Sequence, residues 1–147
     1  MKIFFIVIFW GIALKSNSQT LTNSCINFES LFNDSQIKSS FHLSNKNDTL
    51  SLIDKKQWFK GHCHSFTWDR NYVKIINDTS VINKISKQNP YAIFKGDCKT
   101  FIFDGFTKKG KLHYFNILQP CSGLLTEAEV KFNKKDFKIM SIKKGVL

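Results

Sequence analysis

The apolar N-terminal segment constrains the fold most, because it determines the compartment in which the four cysteines of the chain pair. Lys2 precedes an almost unbroken apolar run over residues 3–14, and Ser-Asn-Ser follows at 16–18. This pattern predicts a secretory signal peptide over residues 1–18 and an exported chain over residues 19–147. The run has 12 residues, fewer than the roughly 20 that a membrane-spanning helix needs. We therefore expect a protein that does not span a membrane.

The length of the exported chain predicts a single compact domain. Removing 18 of the 147 residues leaves 129, which suits one domain with a substantial core. The remainder has no internal repeat, no second long apolar run and no linker rich in Gly, Pro or Ser. The full sequence contains 15 Phe and only 2 Pro, a balance that favours a packed, sheet-rich domain over a disordered one.

The charge of the chain is strongly basic but is carried almost entirely by lysine. There are 22 Lys and Arg against 11 Asp and Glu, for a formal charge of +11, and Arg70 is the single arginine. The abundance of Lys, Asn, Ile and Phe suggests an AT-rich genome. The Ser-Asn-Ser-Gln sequence at 16–19 resembles the ends of bacterial secretory signals, so we expect a secreted or periplasmic bacterial protein. Sequence-specific nucleic-acid binding is not expected, because base recognition relies on arginine.

Four cysteines remain after export, and an even number in an oxidising compartment indicates a disulfide framework. They are Cys25, Cys63, Cys98 and Cys121. Four cysteines allow three connectivities, and the absence of a CxxC pair argues against a zinc ribbon or a thioredoxin-type redox site. The register of a predicted hairpin over residues 101–118 places Cys98 and Cys121 almost opposite each other, which favours a Cys98–Cys121 bridge and leaves Cys25–Cys63 as the second.

The first half of the exported chain has mixed patterning. Residues 24–37 have apolar side chains at helical spacing and predict a helix. Residues 39–53 alternate around a polar turn and predict a hairpin, and residues 64–77 predict one long strand. Asp78 is a predicted helix cap, and the short helix that follows is expected to end at Asn89-Pro90.

The second half predicts two hairpins. The first spans residues 101–118 with a loop at 108–110, in a register that places Phe103 opposite Phe115. The second spans residues 128–139, turns at 133–136 and places Lys131 opposite Lys138. Together these patterns predict an α+β fold with one or two short helices on a strongly bent antiparallel sheet of about six to eight strands. An all-β, barrel-like fold is the alternative.

Two histidines form the first candidate site. On a strand, His62 and His64 share one face, with Cys63 on the other. Two adjacent imidazoles suit zinc or copper if a third ligand such as His113 or His42 joins them. The competing interpretation is a pair of exposed polar side chains beside an oxidised Cys63, and no cofactor is predicted.

Charged side chains near the C-terminus form the other candidate sites. Glu127 and Glu129 lie two residues apart on one strand face, as paired glycosidase carboxylates can, although an ordinary solvated face is the favoured interpretation. The lysines of this region are a candidate binding surface for anions. They are Lys131, Lys134, Lys135, Lys138, Lys143 and Lys144. Three Asn-x-Ser/Thr sequences, at Asn33, Asn47 and Asn77, match the acceptor pattern for N-linked glycans. Chance matches are expected in so Asn-rich a chain, and they have no consequence in a bacterial protein.

No catalytic set emerges from these residues, so the leading hypothesis is a non-enzymatic exported module that binds a protein or ligand. The second hypothesis is a small metal- or His-dependent enzyme centred on His62 and His64. The third is a cationic protein that binds anionic surfaces weakly and without specificity.

Overall fold

A computed structural model describes residues 25–41, 43, 47–133 and 136–147. These residues form a curled mixed sheet of eight strands with four short helices and two disulfides. The helices are α1 (Cys25–Phe32), α2 (Ser35–Lys38), α3 (Thr79–Lys87) and α4 (Pro90–Ile93). The strands are β1 (Thr49–Asp54), β2 (Ser65–Trp68), β3 (Asn71–Ile76), β4 (Thr100–Phe103), β5 (Thr107–Lys109), β6 (Leu112–Gln119), β7 (Leu124–Phe132) and β8 (Phe137–Val146). The predicted signal peptide lies outside the described residues.

The strands follow the order β2-β3-β1-β4-β6-β7-β8, and β5 pairs with β6. β1 runs parallel to both β3 and β4, whereas the other pairs are antiparallel. The prediction of a wholly antiparallel sheet is therefore wrong at its centre. Strands that run parallel to each other need a crossover connection. The segment that contains α3 and α4 crosses over β1 and connects β3 on one side of it to β4 on the other.

The predicted hairpin over residues 39–53 does not form. β1 uses one edge for β3 and the other for β4, so no edge remains for the preceding segment. Phe41 is instead buried, with its ring centroid 5.4 Å from that of Trp68 and 5.5 Å from that of Phe101. The apolar residues Phe41 and Leu43 pack against the core outside any strand, whereas residues 49–53 of the predicted hairpin lie in β1. Residues 42 and 44–46 of the predicted hairpin lie outside the described residues.

The predicted long strand over residues 64–77 is two strands. β2 and β3 form a hairpin in which Trp68 faces Asn71. The two turn residues, Asp69 and Arg70, have φ values of 46° and 67°, as a tight two-residue hairpin turn requires. The buried Asn71 side chain donates to the Trp68 carbonyl and accepts from the Asp48 amide. These bonds hold a turn that has no glycine.

The helices begin where capping residues predict. The predicted N-terminal helix is interrupted after Phe32, because Asp34 caps a new helix by accepting from the Gln36 amide at 2.9 Å. Asp78 caps α3 as predicted, with its carboxylate 2.7 Å from the Ser80 amide. Asn89 then caps α4. Within the described ranges, no helix has the length and apolar character needed to cross a membrane.

The C-terminal hairpin has the predicted register, and the preceding one does not. Lys131 lies opposite Lys138 in the β7–β8 pair. In the β4–β6 pair Phe103 faces Ile117 rather than Phe115. Residues 104–106 separate β4 from β5, so the two strands of the hairpin are offset by two residues from the prediction. An even offset keeps each side chain on the predicted face.

The two faces of the sheet are covered differently. Helices α1 and α2 pack on what we call the inner face, where an aromatic-rich core includes Phe28, Phe32, Phe101 and Phe103. Helix α3 packs on the opposite, outer face in a smaller cluster. That cluster contains Ile53, Ile82, Ile85 and Ile102. The helix therefore covers the outer face over the central strands.

The disulfides are Cys25–Cys63 and Cys98–Cys121, each with a Cα–Cα distance of 5.1 Å. These are the pairs that the sequence favours. The first bridge ties α1 to the loop before β2, and Cys63 is 1% exposed. The second ties the loop before β4 to the end of β6, and Cys98 is exposed to solvent.

This difference in burial predicts an order of reduction. Under mild reducing conditions in the folded state, Cys98 and Cys121 should become alkylated before Cys25 and Cys63, because thiol–disulfide exchange requires access to a sulfur atom. Mass spectrometry of peptides from a time course of reduction and alkylation would measure this. Simultaneous labelling of all four cysteines, without unfolding, would contradict it.

Among the described glycines, Gly105 is the one where a side chain is least tolerated. Its φ is +77°, and an added Cβ atom would overlap Cδ1 of Trp58. Gly110 offers a control, since it also has a positive φ, of +62°, but a Cβ atom added there would have nothing within 4 Å. The indole of Trp58 packs in turn against Phe106, with ring centroids 5.4 Å apart.

We expect Gly105→Ala to lower the free energy of unfolding by about 3 kcal/mol, from backbone strain plus displacement of Trp58. Gly110→Ala should cost about 1 kcal/mol, from strain alone. Urea denaturation of both variants would measure the difference. Equal losses of unfolding free energy in the two variants would show that Trp58 moves aside without an energetic penalty.

Candidate binding groove on the outer sheet face

The outer face of β5–β8 carries a row of polar side chains. Side chains alternate between faces along a strand, and the register places Tyr114 opposite Glu129 and Asn116 opposite Glu127. The apolar neighbour Phe115 lies on the inner face in the core. The half of the outer face that α3 leaves uncovered therefore has polar side chains, whereas the half beneath α3 has apolar side chains.

Two adjoining cavities, each of about 300 Å³, open on this face. They share Thr107, Tyr114 and Asn116. We call the polar side chains of the first cavity the outer groove. It consists of Thr107, Lys109, Tyr114, Asn116, Glu127, Glu129, Ser141 and Lys143. The second cavity extends it towards Lys55, Lys56 and Asp104. The two depressions form a shallow, continuous site.

Side-chain contacts across the strands order part of the outer groove. The Ser141 hydroxyl donates to a Glu129 carboxylate oxygen at 3.1 Å. Lys143 lies opposite Glu127 in the β7–β8 register. Lys109 holds its ammonium 5.3 Å from the centroid of the Tyr114 ring, within the range of a cation–π contact. The groove therefore has donors, acceptors and an aromatic ring on one surface.

The predicted carboxylate pair lies in this groove. Glu127 and Glu129 share the outer face, as predicted, and Glu127 is exposed while Glu129 is half-buried. Residues two apart on a strand are separated by roughly 6.5 Å between Cα atoms. The two carboxylates line the first cavity beside polar neighbours, and Glu127 stands in solvent.

The described histidines do not assemble the predicted site. His62 and His64 are exposed and precede β2, which begins at Ser65, so the strand geometry expected of them is wrong. His113 lies on the inner side of β6, with its ring centroid 5.0 Å from that of Phe132. Among the described residues, no three His, Cys, Asp or Glu side chains are arranged to hold a metal ion. His42 lies outside the described residues.

The C-terminal lysines are divided between the two faces of the sheet. The register places Lys131, Lys138 and Lys143 on the outer face. Lys144 is on the inner side, where its ammonium donates to the Ser39 hydroxyl at 3.3 Å. Lys134 and Lys135 of the predicted anion-binding surface lie outside the described residues. Because β8 is the last strand in the sheet order, its lysines also oppose pairing with a further strand.

Asp54, which is buried, and His113, which is half-buried, have shifted pKa values. Burial raises the pKa of the Asp54 carboxyl, and the amides of Phe59, Trp58 and Lys56 oppose that shift. A carboxylate oxygen of Asp54 accepts from the Phe59 amide at 2.7 Å, which folds the loop after β1. Burial, and to a lesser extent the charge of Lys108, lowers the pKa of His113. Both side chains lie on the inner side of the sheet.

The sequence patterns did not single out Tyr114, Asn116 and Ser141. A signal for the first two was present, since Tyr114 and Asn116 alternate with core residues of the same strand. Ser141 has no such signal, because a bulge between Glu129 and Val130 sets the β7–β8 register at that point.

Comparisons of the chain with protein-family models, with curated proteins and with solved structures find no match. The groove must therefore be interpreted from its own chemistry.

The lowered pKa of His113 predicts a loss of stability in mild acid. The unfolded chain takes up a proton near the ordinary pKa of about 6.5, while the folded protein does not until a lower pH, so protons favour unfolding between the two values. We expect the urea midpoint of the wild-type protein to fall between about pH 7.5 and about pH 5.5. The urea midpoint of His113→Gln should fall by less over the same pH range.

Lys108→Gln serves as the matched variant. This variant keeps the His113 imidazole and its burial, which is the larger cause of the lowered pKa. Its urea midpoint should therefore fall by nearly as much as that of the wild-type protein over the same pH range. A pH dependence unchanged by His113→Gln would contradict the assignment.

Proposed function

We propose that the protein is an exported, non-enzymatic binding module whose outer groove binds a neutral, hydroxyl-rich ligand, that is, a carbohydrate. One observation supports this most directly. The polar side chains of β5–β8 line a concave surface that α3 leaves uncovered, whereas α3 covers the apolar half of the same face. A surface with this composition is suited to contact with a polar partner.

The mixed charge of the outer groove favours a neutral ligand. Glu127 and Glu129 would repel an anion, while Lys109 and Lys143 would repel a cation. Sugar hydroxyls both donate and accept, so they can bond to carboxylates, ammonium groups and the Asn116 amide together. The balance of charges thus argues against the third hypothesis, a general binder of anionic surfaces, as the role of this groove.

The open shape of the groove and its aromatic ring also support a carbohydrate ligand. Pockets for apolar small molecules are enclosed and lined mainly by hydrophobic side chains. The outer groove is open and continues into a second cavity beside the Lys55–Asp104 ion pair, whose N–O distance is 3.2 Å. An elongated ligand could lie along both depressions, with a sugar ring against Tyr114.

Export is part of the proposal. Two disulfides and the absence, within the described residues, of a helix suited to crossing a membrane are compatible with an extracellular or periplasmic protein. We propose residues 1–18 as the signal and residues 19–147 as one exported domain of the α+β class. A surface-polymer or nutrient glycan would be encountered in that compartment.

Screening the exported protein against an array of neutral oligosaccharides tests the proposal. We expect binding by a subset of glycans, with the affinity reduced about tenfold or more in Tyr114→Ala, equivalent to about 1.4 kcal/mol. Tyr72→Ala is the matched control, because Tyr72 is 53% exposed on β3 and lies outside the outer groove. Its affinity should equal that of the wild-type protein, measured by calorimetry.

Three results would overturn the proposal. Absence of binding to every neutral glycan, or equal losses in both tyrosine variants, would remove the carbohydrate assignment. Release of reducing ends from a bound glycan, lost in Glu127→Gln or Glu129→Gln, would show that the protein is an enzyme.

A further inference from the structure

We propose that the second cavity is an extension subsite, so that the protein binds an internal segment of a linear, neutral oligosaccharide rather than a single terminal sugar. This inference rests on the proposed function, because it assigns the second cavity to the same carbohydrate ligand as the outer groove. Apart from the three residues that it shares with that groove, the second cavity is lined by Lys55, Lys56, Asp104, Gly105 and Phe115.

A bulge between β4 and β5 forms the second cavity. β4 ends its pairing with β6 at Phe103, and β5 resumes that pairing at Thr107. The three residues between them lie opposite only two residues of β6, at 115–116. One extra residue on one strand is a β-bulge, which re-aims side chains and is frequent beside active sites. Gly105, with its φ of +77°, is the residue type that one class of bulge requires.

Backbone hydrogen bonds hold the bulge and its neighbouring loop in place. The Asp104 amide donates to the Asn116 carbonyl at 3.1 Å, and the Lys55 amide donates to the Phe103 carbonyl at 3.0 Å. The side chains of Asp104 and Lys55 then form their ion pair, in which they remain 40% and 41% exposed. The bulge thus places an acceptor and a donor on the wall of the second cavity, both within reach of a ligand.

The second cavity is continuous with the outer groove. Thr107, Tyr114 and Asn116 line both of them. Each cavity has a volume of about 300 Å³, which is the lower limit of the roughly 300–1,000 Å³ typical of small-molecule pockets. Two such cavities in a row can hold more than one sugar ring. Because Tyr114 lines both, two consecutive sugars would share its ring.

Both ends of the combined site are exposed to solvent. Lys55 and Lys56, which follow β1, are exposed at one end, and Lys143 on β8 is exposed at the other. In the sheet order β4, β6 and β7 lie between β1 and β8, so the site crosses roughly 19 Å of sheet at the usual strand spacing. A chain end held in the site would need a closed wall, whereas a chain that continues past both ends needs open ones.

Calorimetry with oligosaccharides of one to six units, cut from the neutral glycan that binds best on the array, tests this inference. We expect the affinity to rise about tenfold or more from the single sugar to the longest oligosaccharide, because the added units form hydrogen bonds in the second cavity. Lys55→Ala should reduce that ratio of affinities about threefold or more.

Lys99→Ala is the matched control. Lys99 also forms an exposed ion pair, with Asp48 at 2.8 Å, and it lies outside both cavities. Exposed ion pairs contribute little to stability, so both lysine variants should fold. The ratio of affinities in Lys99→Ala should equal that of the wild-type protein.

Two results would overturn this inference and leave the proposed function intact. The first is equal affinity for the single sugar and the longest oligosaccharide. The second is a ratio in Lys55→Ala that equals the wild-type ratio, because the added units would then lie outside the second cavity. Failure of the proposed function gives a different result, since no oligosaccharide of any length would bind, and this inference would fall with it.

Discussion

The burial of β1 on both edges and both faces is the constraint on which the rest of the structure depends. β3 and β4 occupy its edges in parallel. Leu50 and Leu52 point into the inner core, and Ile53 into the outer cluster. A strand buried in this way needs crossovers to deliver its parallel neighbours and helices to cover it. The crossover through α3 and α4 meets both needs at once.

The same arrangement explains why part of the outer face is polar and uncovered by α3. Helix α3 is nine residues long and covers only the central strands of the outer face. The chain then continues through β6, β7 and β8 as antiparallel strands, whose one-sided patterning allows the other side to face water. Tyr114, Asn116 and Glu127 occupy that side. The curl of the sheet encloses the inner core and leaves the outer groove open.

Local chemistry made much of this predictable. Asp78 marks the start of α3 because a short carboxylate satisfies the free amides of a first helical turn. The β7–β8 register follows from matching apolar alternation, and it places Lys131 opposite Lys138. The hairpin over 39–53 failed because alternation shows that a segment has a buried side but not which element buries it. The single strand over 64–77 failed because the turn at Asp69 and Arg70 contains no glycine that would mark it.

By itself, the sequence determined the helix caps, the C-terminal hairpin, the favoured disulfide pairs and the presence of a polar face on β6 and β7. These depend on contacts between residues close in the chain or on the two-residue period of a strand. Only the tertiary structure decided that β1 is central, that His62 and His64 form no metal-holding group with His113, and that polar side chains of β6 and β7 line two adjoining cavities. Those outcomes depend on which distant strands pair, and strand pairing is fixed by the burial of the whole sheet rather than by any one segment.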